Sequence, residues 1–154
     1  MTELRSRQIG PRSRSQRRDR INEARATWAG ATEDCLSAWE NDQRSFAQLQ
    51  AGKIELSERM ERVYFLEDTK ARLRAATVRL VLIDPSHSDD PLAIEAAILE
   101  IERAGSDTPA HRLARAIRLR LREVVDRWIR RKAAAPTVRE SGRPGAGALP
   151  PPAA

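Results

Sequence analysis

Arginine is the residue type in this chain with the clearest chemical potential. The 154-residue chain holds 28 basic residues, of which only Lys53, Lys70 and Lys132 are lysines. A guanidinium group presents a fixed planar fork of donors to a phosphate or a carboxylate, whereas an ammonium group acts as a point charge. A coding bias toward arginine would give the same count. The arginines therefore indicate phosphate or carboxylate contacts only where they cluster.

The charges fall into three successive blocks. Residues 1–20 carry seven basic and two acidic residues, residues 21–110 carry ten basic and seventeen acidic residues, and residues 111–154 carry eleven basic and three acidic residues. The net charges of these blocks are therefore +5, −7 and +8. Such a chain attracts a polyanion at its basic ends, or attracts copies of itself end to middle.

Two basic clusters are candidates for phosphate contacts. The first is the N-terminal arm, which has almost nothing apolar to bury, is expected to be disordered, and can follow a groove or strand while displacing counterions. The second is the last predicted helix, where 100° per residue places a basic row opposite the apolar stripe. The candidate nucleic-acid contacts are Arg12, Arg14, Arg17, Arg18, Arg20, Arg112, Arg115, Arg118, Arg122, Arg130, Arg131 and Lys132.

Part of the charge on the last helix has a local alternative. Asp126 lies four residues from both Arg122 and Arg130, and an intrahelical ion pair at that spacing contributes roughly a few tenths of a kcal/mol. The acidic third helix offers further partners. The basic row is therefore either a polyanion-binding surface or a solvated, self-paired face.

Other reactive side chains lack the arrangement that catalysis or metal binding needs. Segment 84–90 gathers three aspartates and His87, which suit a divalent cation, but helix termination and capping explain them equally well. His111 has no carboxylate or serine arranged near it in sequence, and Cys35 lies on an apolar stripe that suits an inert packing residue. We therefore predict no catalytic residue, no metal, no cofactor and no enzyme activity.

The first half of the chain predicts a long antiparallel helical hairpin. Apolar residues recur every seven residues in two segments, at about 15–51 and about 57–83. Gly52 suits a left-handed stop for the first helix, and Ser57 suits the N-cap of the second. The matched seams comprise Ile21, Trp28, Cys35, Leu49, Leu66, Leu73 and Leu80.

Two shorter helices are predicted at about 91–104 and 109–134. A capping residue followed by proline begins each of them, as at Asp90-Pro91. The first of the two is apolar on both faces, with leucines on one side and isoleucines on the other. Such two-sided burial occurs within the chain or at a subunit contact. The candidate oligomer interface consists of Ile94, Ile98 and Ile101.

Together these patterns predict an all-α four-helix bundle over residues 15–134, with disordered tails at 1–14 and 135–154.

No uncharged run approaches the roughly 20 apolar residues of a membrane span, and the N-terminus lacks the apolar stretch of a secretory signal. The single cysteine leaves no internal disulfide. A cytoplasmic protein, or one carried inside a particle, is expected.

Two functional hypotheses follow from this architecture. The first is a non-enzymatic accessory protein whose basic arm and last helix bind a polyanion, with nucleic acid as the expected partner, DNA or RNA. Because no aromatic residue is interleaved with the arm's arginines, little sequence preference is expected. The second hypothesis is an oligomeric structural or adaptor subunit of a larger protein assembly.

Two further interpretations have less support. Residues 90–134 have the outline of a helix-turn-helix with a basic second helix, but that helix is about 25 residues long and its apolar stripe suits a bundle core. A membrane-surface role for the same helix is opposed by the narrowness of that stripe.

Overall fold

Four α-helices make up the part of the chain that the structure describes. A computed structural model describes residues 11–104 and 108–134, and within those ranges it contains no strand. The predicted all-α bundle built on a helical hairpin is therefore confirmed. The helices are α1 (Pro11–Gln50), α2 (Leu56–Ile83), α3 (Asp89–Ala104) and α4 (Thr108–Ala134), and a short 3₁₀ helix (Pro85–His87) joins α2 to α3.

The first helix begins earlier than the sequence predicted. α1 starts at Pro11, so residues 11–14 belong to a helix rather than to the disordered arm that was expected to include them. Proline suits the first helical position because the N–H that it lacks would have no intrahelical partner there. Residues 1–10 and 135–154, the rest of the predicted arm and the predicted tail, lie outside the described ranges.

Gly52 ends the first helix as predicted. Its φ of +67° is left-handed, and the backbone N–H groups of Gly52 and Lys53 donate hydrogen bonds of 3.0 and 2.8 Å to the last turn of α1. This pattern satisfies carbonyl groups that a helix end leaves without partners. The predicted cap of the next helix was wrong: Glu55, not Ser57, is the N-cap of α2, and it makes no side-chain cap hydrogen bond.

The helices form a ring in which each contacts two neighbours. α1 packs along α2 as an antiparallel hairpin, α3 packs on α2 and α4, and α4 packs on α1. The N-terminus of α1, the connection from α2 to α3, and the C-terminus of α4 therefore meet at one end of the bundle. No helix in the described ranges is both long and apolar enough to cross a membrane.

The predicted seams supply the core. Trp28, Leu73 and Leu80 are at most 2 % exposed, and burying one such side chain stabilises the fold by about 2 kcal/mol. Trp28 meets Trp128 of α4 edge to face, with ring centroids 5.6 Å apart. This contact fixes α4 against α1 close to the end where four helix termini meet.

The third helix is buried on one face only. The isoleucines predicted to form an oligomer interface, Ile94, Ile98 and Ile101, are 1 %, 4 % and 1 % exposed within the single chain. They belong to the core, which corrects that prediction. Leu92 and Leu99 on the other face are 48 % and 42 % exposed. Periodicity revealed both apolar faces but could not tell which of them meets the neighbouring helices.

Candidate functional site

Cationic side chains from opposite ends of the chain meet at one end of the bundle. Arg14, Arg17 and Arg18 in the first turns of α1 line the same cleft as Arg131 and Lys132 in the last turn of α4. We call these five residues the basic end. The cleft between them has a volume of about 350 Å³. The sequence identified both clusters, and the structure brings them together.

The five cations of the basic end have no neutralising partner within the described residues. All five side chains are exposed, and no described carboxylate lies within ion-pair distance of any of them. The first turn of α1 contains no acidic residue, although the positive end of a helix dipole favours anionic side chains and disfavours cationic ones. Repulsion among these cations therefore destabilises the folded state, and an external anion bound between them would relieve that repulsion.

A buried ion pair holds the floor of the cleft. Arg25 Nη2 of α1 lies 2.7 Å from Asp84 Oδ2 at the end of α2, and the two side chains are only 15 % and 9 % exposed. Asp84 Oδ1 lies 3.0 Å from His87 Nδ1 and accepts a 3.2 Å hydrogen bond from Ser86 Oγ. The single carboxylate that lines the cleft is thus occupied by its own neighbours, within the described residues.

These contacts perturb the titration of Asp84. Burial acts to raise the pKa of Asp84, but the hydrogen bonds and charges of His87 and Arg25 outweigh burial, so that the net pKa lies below its ordinary value. Asp84 is therefore an anion at neutral pH. Its negative charge holds Arg25 of α1 and the connection from α2 to α3 in place.

Arg25 also joins this floor to α4. Its guanidinium carbon lies 4.8 Å from the ring centroid of Trp128, a distance at which a cation is attracted to the face of an aromatic ring. Its Nε is buried without a hydrogen-bond partner among the described residues. Arg25 thus joins α1 to Asp84, at the end of α2, and to Trp128 of α4. These contacts hold together the helices that carry the basic end.

Arg118 has a different role from the one predicted. It donates hydrogen bonds to Glu40 and, at 3.3 Å, to Glu33, both on α1. The hydrogen bond to Glu40 is the main reason that the pKa of Arg118 is raised. With its side chain 24 % exposed, Arg118 joins α4 to α1, and this corrects its assignment as a nucleic-acid contact.

Charge compensation on α4 runs between helices rather than within the helix. Arg120 and Arg127 lie 3.2 and 3.0 Å from the carboxylate of Asp90 on α3. Asp126, predicted to pair with arginines four residues away, is exposed and has no ion pair among the described residues. The pairs expected from spacing alone are therefore absent among the described residues, and α3 pairs with other arginines of α4.

The remaining predicted contacts do not join the basic end. The side chain of Arg12 lies outside the described residues. The others are exposed, line no part of the cleft, and have no described carboxylate within ion-pair distance. They are Arg20, Arg112, Arg115, Arg122 and Arg130.

The other reactive side chains have structural neighbours. The ring of His111 lies 5.2 Å from the ring of Trp39, centroid to centroid, and Cys35 is fully buried in the core. Within residues 11–104 and 108–134, no group of three or more potential metal-binding side chains is assembled.

Sequence reasoning missed Arg25 and its contacts. The available signal was position: Arg25 lies three residues before Trp28, so a charged side chain borders the apolar seam of α1 and requires a partner. The partner lies 59 residues away, which no local pattern reveals.

No protein-family model, curated protein or solved structure matches this chain, so the functional interpretation depends on the geometry of the basic end.

Proposed function

We propose that this protein binds nucleic acid through the basic end, contacting the sugar-phosphate backbone with little sequence preference. The observation that carries this proposal is the convergence of Arg14, Arg17 and Arg18 with Arg131 and Lys132 around one cleft. The two clusters are separated by more than a hundred residues, and the antiparallel order of the four helices brings them to one end, where five cations surround the cleft.

Phosphate is the ligand chemistry that suits this cleft. Four of its five cations are arginines, whose donor forks match phosphate oxygens in pairs. A nucleic-acid backbone offers several phosphates in succession, and their neutralisation releases condensed counterions, which provides most of the binding free energy. A lone small anion would neutralise only part of the cluster.

Backbone contact fits the cleft better than base recognition does. Reading unpaired bases uses exposed aromatic rings on which bases stack. The one tryptophan, tyrosine or phenylalanine ring among the described residues of the cleft belongs to Trp128, which is 9 % exposed and already covered by Arg25. Apart from the imidazole of His87, which contacts Asp84, these residues therefore offer charge and hydrogen-bond donors rather than rings for stacking.

The buried floor would keep the cations in position before the ligand arrives. Arg25, Asp84 and Trp128 connect α1, the end of α2 and α4 at the base of the cleft. Cations held at fixed separations lose less conformational entropy on binding than cations on independent segments.

A matched pair of triple variants tests this proposal. R14S/R17S/R18S removes three charges from the basic end, and R112S/R115S/R122S removes three from exposed, unpaired positions elsewhere on α4. Fluorescence anisotropy with labelled duplex DNA measures the dependence of log Kd on log salt concentration. The first variant should flatten that slope by about 2.7 units, since each lost phosphate contact removes about 0.9.

The control variant should change the slope by less than one unit. Equal flattening by both variants would show that total charge, not the basic end, determines binding. An unchanged slope in the basic-end variant would overturn the proposal outright. Circular dichroism melts of both variants establish that each remains folded.

A further inference from the structure

An exposed apolar face extends over two adjacent helices, α2 and α3. On α2, Ala71, Ala75, Val78 and Leu82 follow one another at intervals of four, three and four residues, which places them on one side of the helix. Val78 is 52 % exposed and Leu82 is 77 % exposed. The described residues of the chain leave this stripe uncovered.

The stripe on α2 continues onto α3. Leu92 and Leu99 are 48 % and 42 % exposed, and Leu99 lines a groove of about 220 Å³ together with Ala71 and Arg74 of α2. The two helices therefore present a common surface, which we call the α2/α3 face. Its apolar members are Ala71, Ala75, Val78, Leu82, Leu92 and Leu99.

The two halves of this face carry opposite charge. Arg74 of α2 is a cation and Glu95 of α3 is an anion, and both line the groove between the two helices. Neither side chain has an ion pair with a described residue, whereas the neighbouring cations Lys70, Arg72 and Arg79 are each paired within the chain. The face thus presents an apolar stripe along each helix, with an unpaired cation on α2 and an unpaired anion on α3.

We propose that two copies of this chain dimerise through the α2/α3 face, with α2 of each copy packed on α3 of the other. A two-fold axis that runs parallel to the helices, above the midline between α2 and α3, produces this arrangement. Rotation about this axis turns the second copy's face onto the first and places its α2 over α3 and its α3 over α2. The surface is then self-complementary: Arg74 of each copy meets Glu95 of the other, and each apolar stripe is covered.

Charge selects this arrangement over the other two-fold option. An axis perpendicular to the helices would lay α2 on α2, which would bring Arg74 of one copy toward Arg74 of the other. Like charges in a contact are unfavourable, whereas opposite charges steer association and fix its register. A face with both signs of charge therefore suits a second copy better than a uniformly charged partner helix.

The parallel axis has a consequence for the basic ends. Rotation about an axis parallel to the bundle keeps each helix terminus at the same end, so the two basic ends lie side by side. The dimer itself does not depend on nucleic-acid binding, because its surface contains no residue of the basic end.

Light scattering coupled to size-exclusion chromatography tests the dimer on the nuclease-treated full-length chain. Wild-type protein should have the mass of a dimer at high micromolar concentration. V78D/L82D should be monomeric, with the dimer dissociation constant raised at least tenfold, since it places carboxylates in the apolar stripe. The matched control, L119D/I129D, changes residues of α4 that are 53 % and 59 % exposed and should remain dimeric.

A charge exchange tests the pairing of α2 with α3. R74E alone should weaken the dimer, and R74E/E95R should restore it, because the exchange recreates opposite charges across the two-fold axis. A monomeric wild-type protein at the highest concentration, or V78D/L82D that dimerises like wild type, would overturn the proposal. Failure of E95R to rescue R74E would overturn the paired arrangement of α2 on α3.

Discussion

The middle of α4 and the basic end use the same kind of residue in opposite ways. In the middle, Arg118, Arg120 and Arg127 each contact a carboxylate on a neighbouring helix. At the basic end, the cations of α1 and α4 face one another, and no described carboxylate lies within ion-pair distance. Location in the bundle, rather than residue type, therefore decides whether an arginine stabilises the fold or remains available to an external anion.

The physical basis of this difference is the supply of partners. Acidic residues of α1 and Asp90 in the first turn of α3 provide partners for the paired arginines of α4. In the cleft, the charged residues that α1 contributes are all arginines, and Asp84 is already held by Arg25 and His87. The paired arginines should therefore affect stability, and the unpaired ones should affect binding.

Removal of Arg25 should have the largest effect on stability. Arg25→Met leaves the buried carboxylate of Asp84 without its closest cationic partner, and breaking a buried ion pair from one side costs about 3 kcal/mol. Urea denaturation at neutral pH measures the loss. Arg79→Met is the control, because its pair with Glu23 is 3.6 Å long and exposed, and such pairs contribute about 0.5 kcal/mol or less. Equal losses in the two variants would contradict the role given to Arg25.

Arg118 should separate stability from binding. Arg118→Met removes a partly exposed bridge between α4 and α1, so the free energy of unfolding should fall by about 1 kcal/mol. The salt dependence of DNA binding should not change. Arg131→Ser should behave in the reverse way, with unchanged stability and a slope flattened by about 0.9. A flattened slope for Arg118→Met would return this residue to the binding surface.

The floor of the cleft should lose stability in acid. Because the pKa of Asp84 is lowered by folding, its contribution is present at pH values above the unfolded pKa of 3.8. That contribution is lost as pH falls through the still lower pKa of the folded state. Asp84→Asn should therefore reduce the change in urea midpoint between neutral and strongly acidic pH. An identical acid profile in the variant would contradict the assignment.

The basic end should have the smallest effect on stability, and with the opposite sign. R14S/R17S/R18S removes cations from the positive end of the α1 dipole and from beside other cations, so the melting temperature should remain equal or rise slightly at low salt. The change should be within about 0.5 kcal/mol and should vanish at high salt. A clear destabilisation would mean that these arginines have intramolecular partners.

The sequence predicted the helices better than it predicted their mutual arrangement. Seven-residue spacing identified the seam that includes Trp28, Leu73 and Leu80, and Gly52 identified the end of α1, because both signals are local. The start of α1 at Pro11 was missed because arginine and serine give no apolar periodicity there. The presence of each helix is thus encoded in residues that lie close together in the sequence.

The site depended on contacts between distant residues. Spacing identified a basic row on α4, but it could not distinguish Arg118, which meets acids of α1, from Arg131, which meets none that is described. It also could not show that the isoleucines of α3 face inward while Leu92 and Leu99 face outward. Both distinctions arise from which helices pack together, and that information lies in no single segment.

A short DNA duplex tests whether the two ends of the chain form a single site. The measurement is the salt dependence of binding by wild type, R14S/R17S/R18S, R131S/K132S and the combined variant, with a duplex too short to occupy two separate sites. We expect both partial variants to flatten the slope and the combined variant to lose about the sum, close to 4.5 units. If either partial variant keeps the wild-type slope, the two clusters act as independent sites, and the claim is wrong.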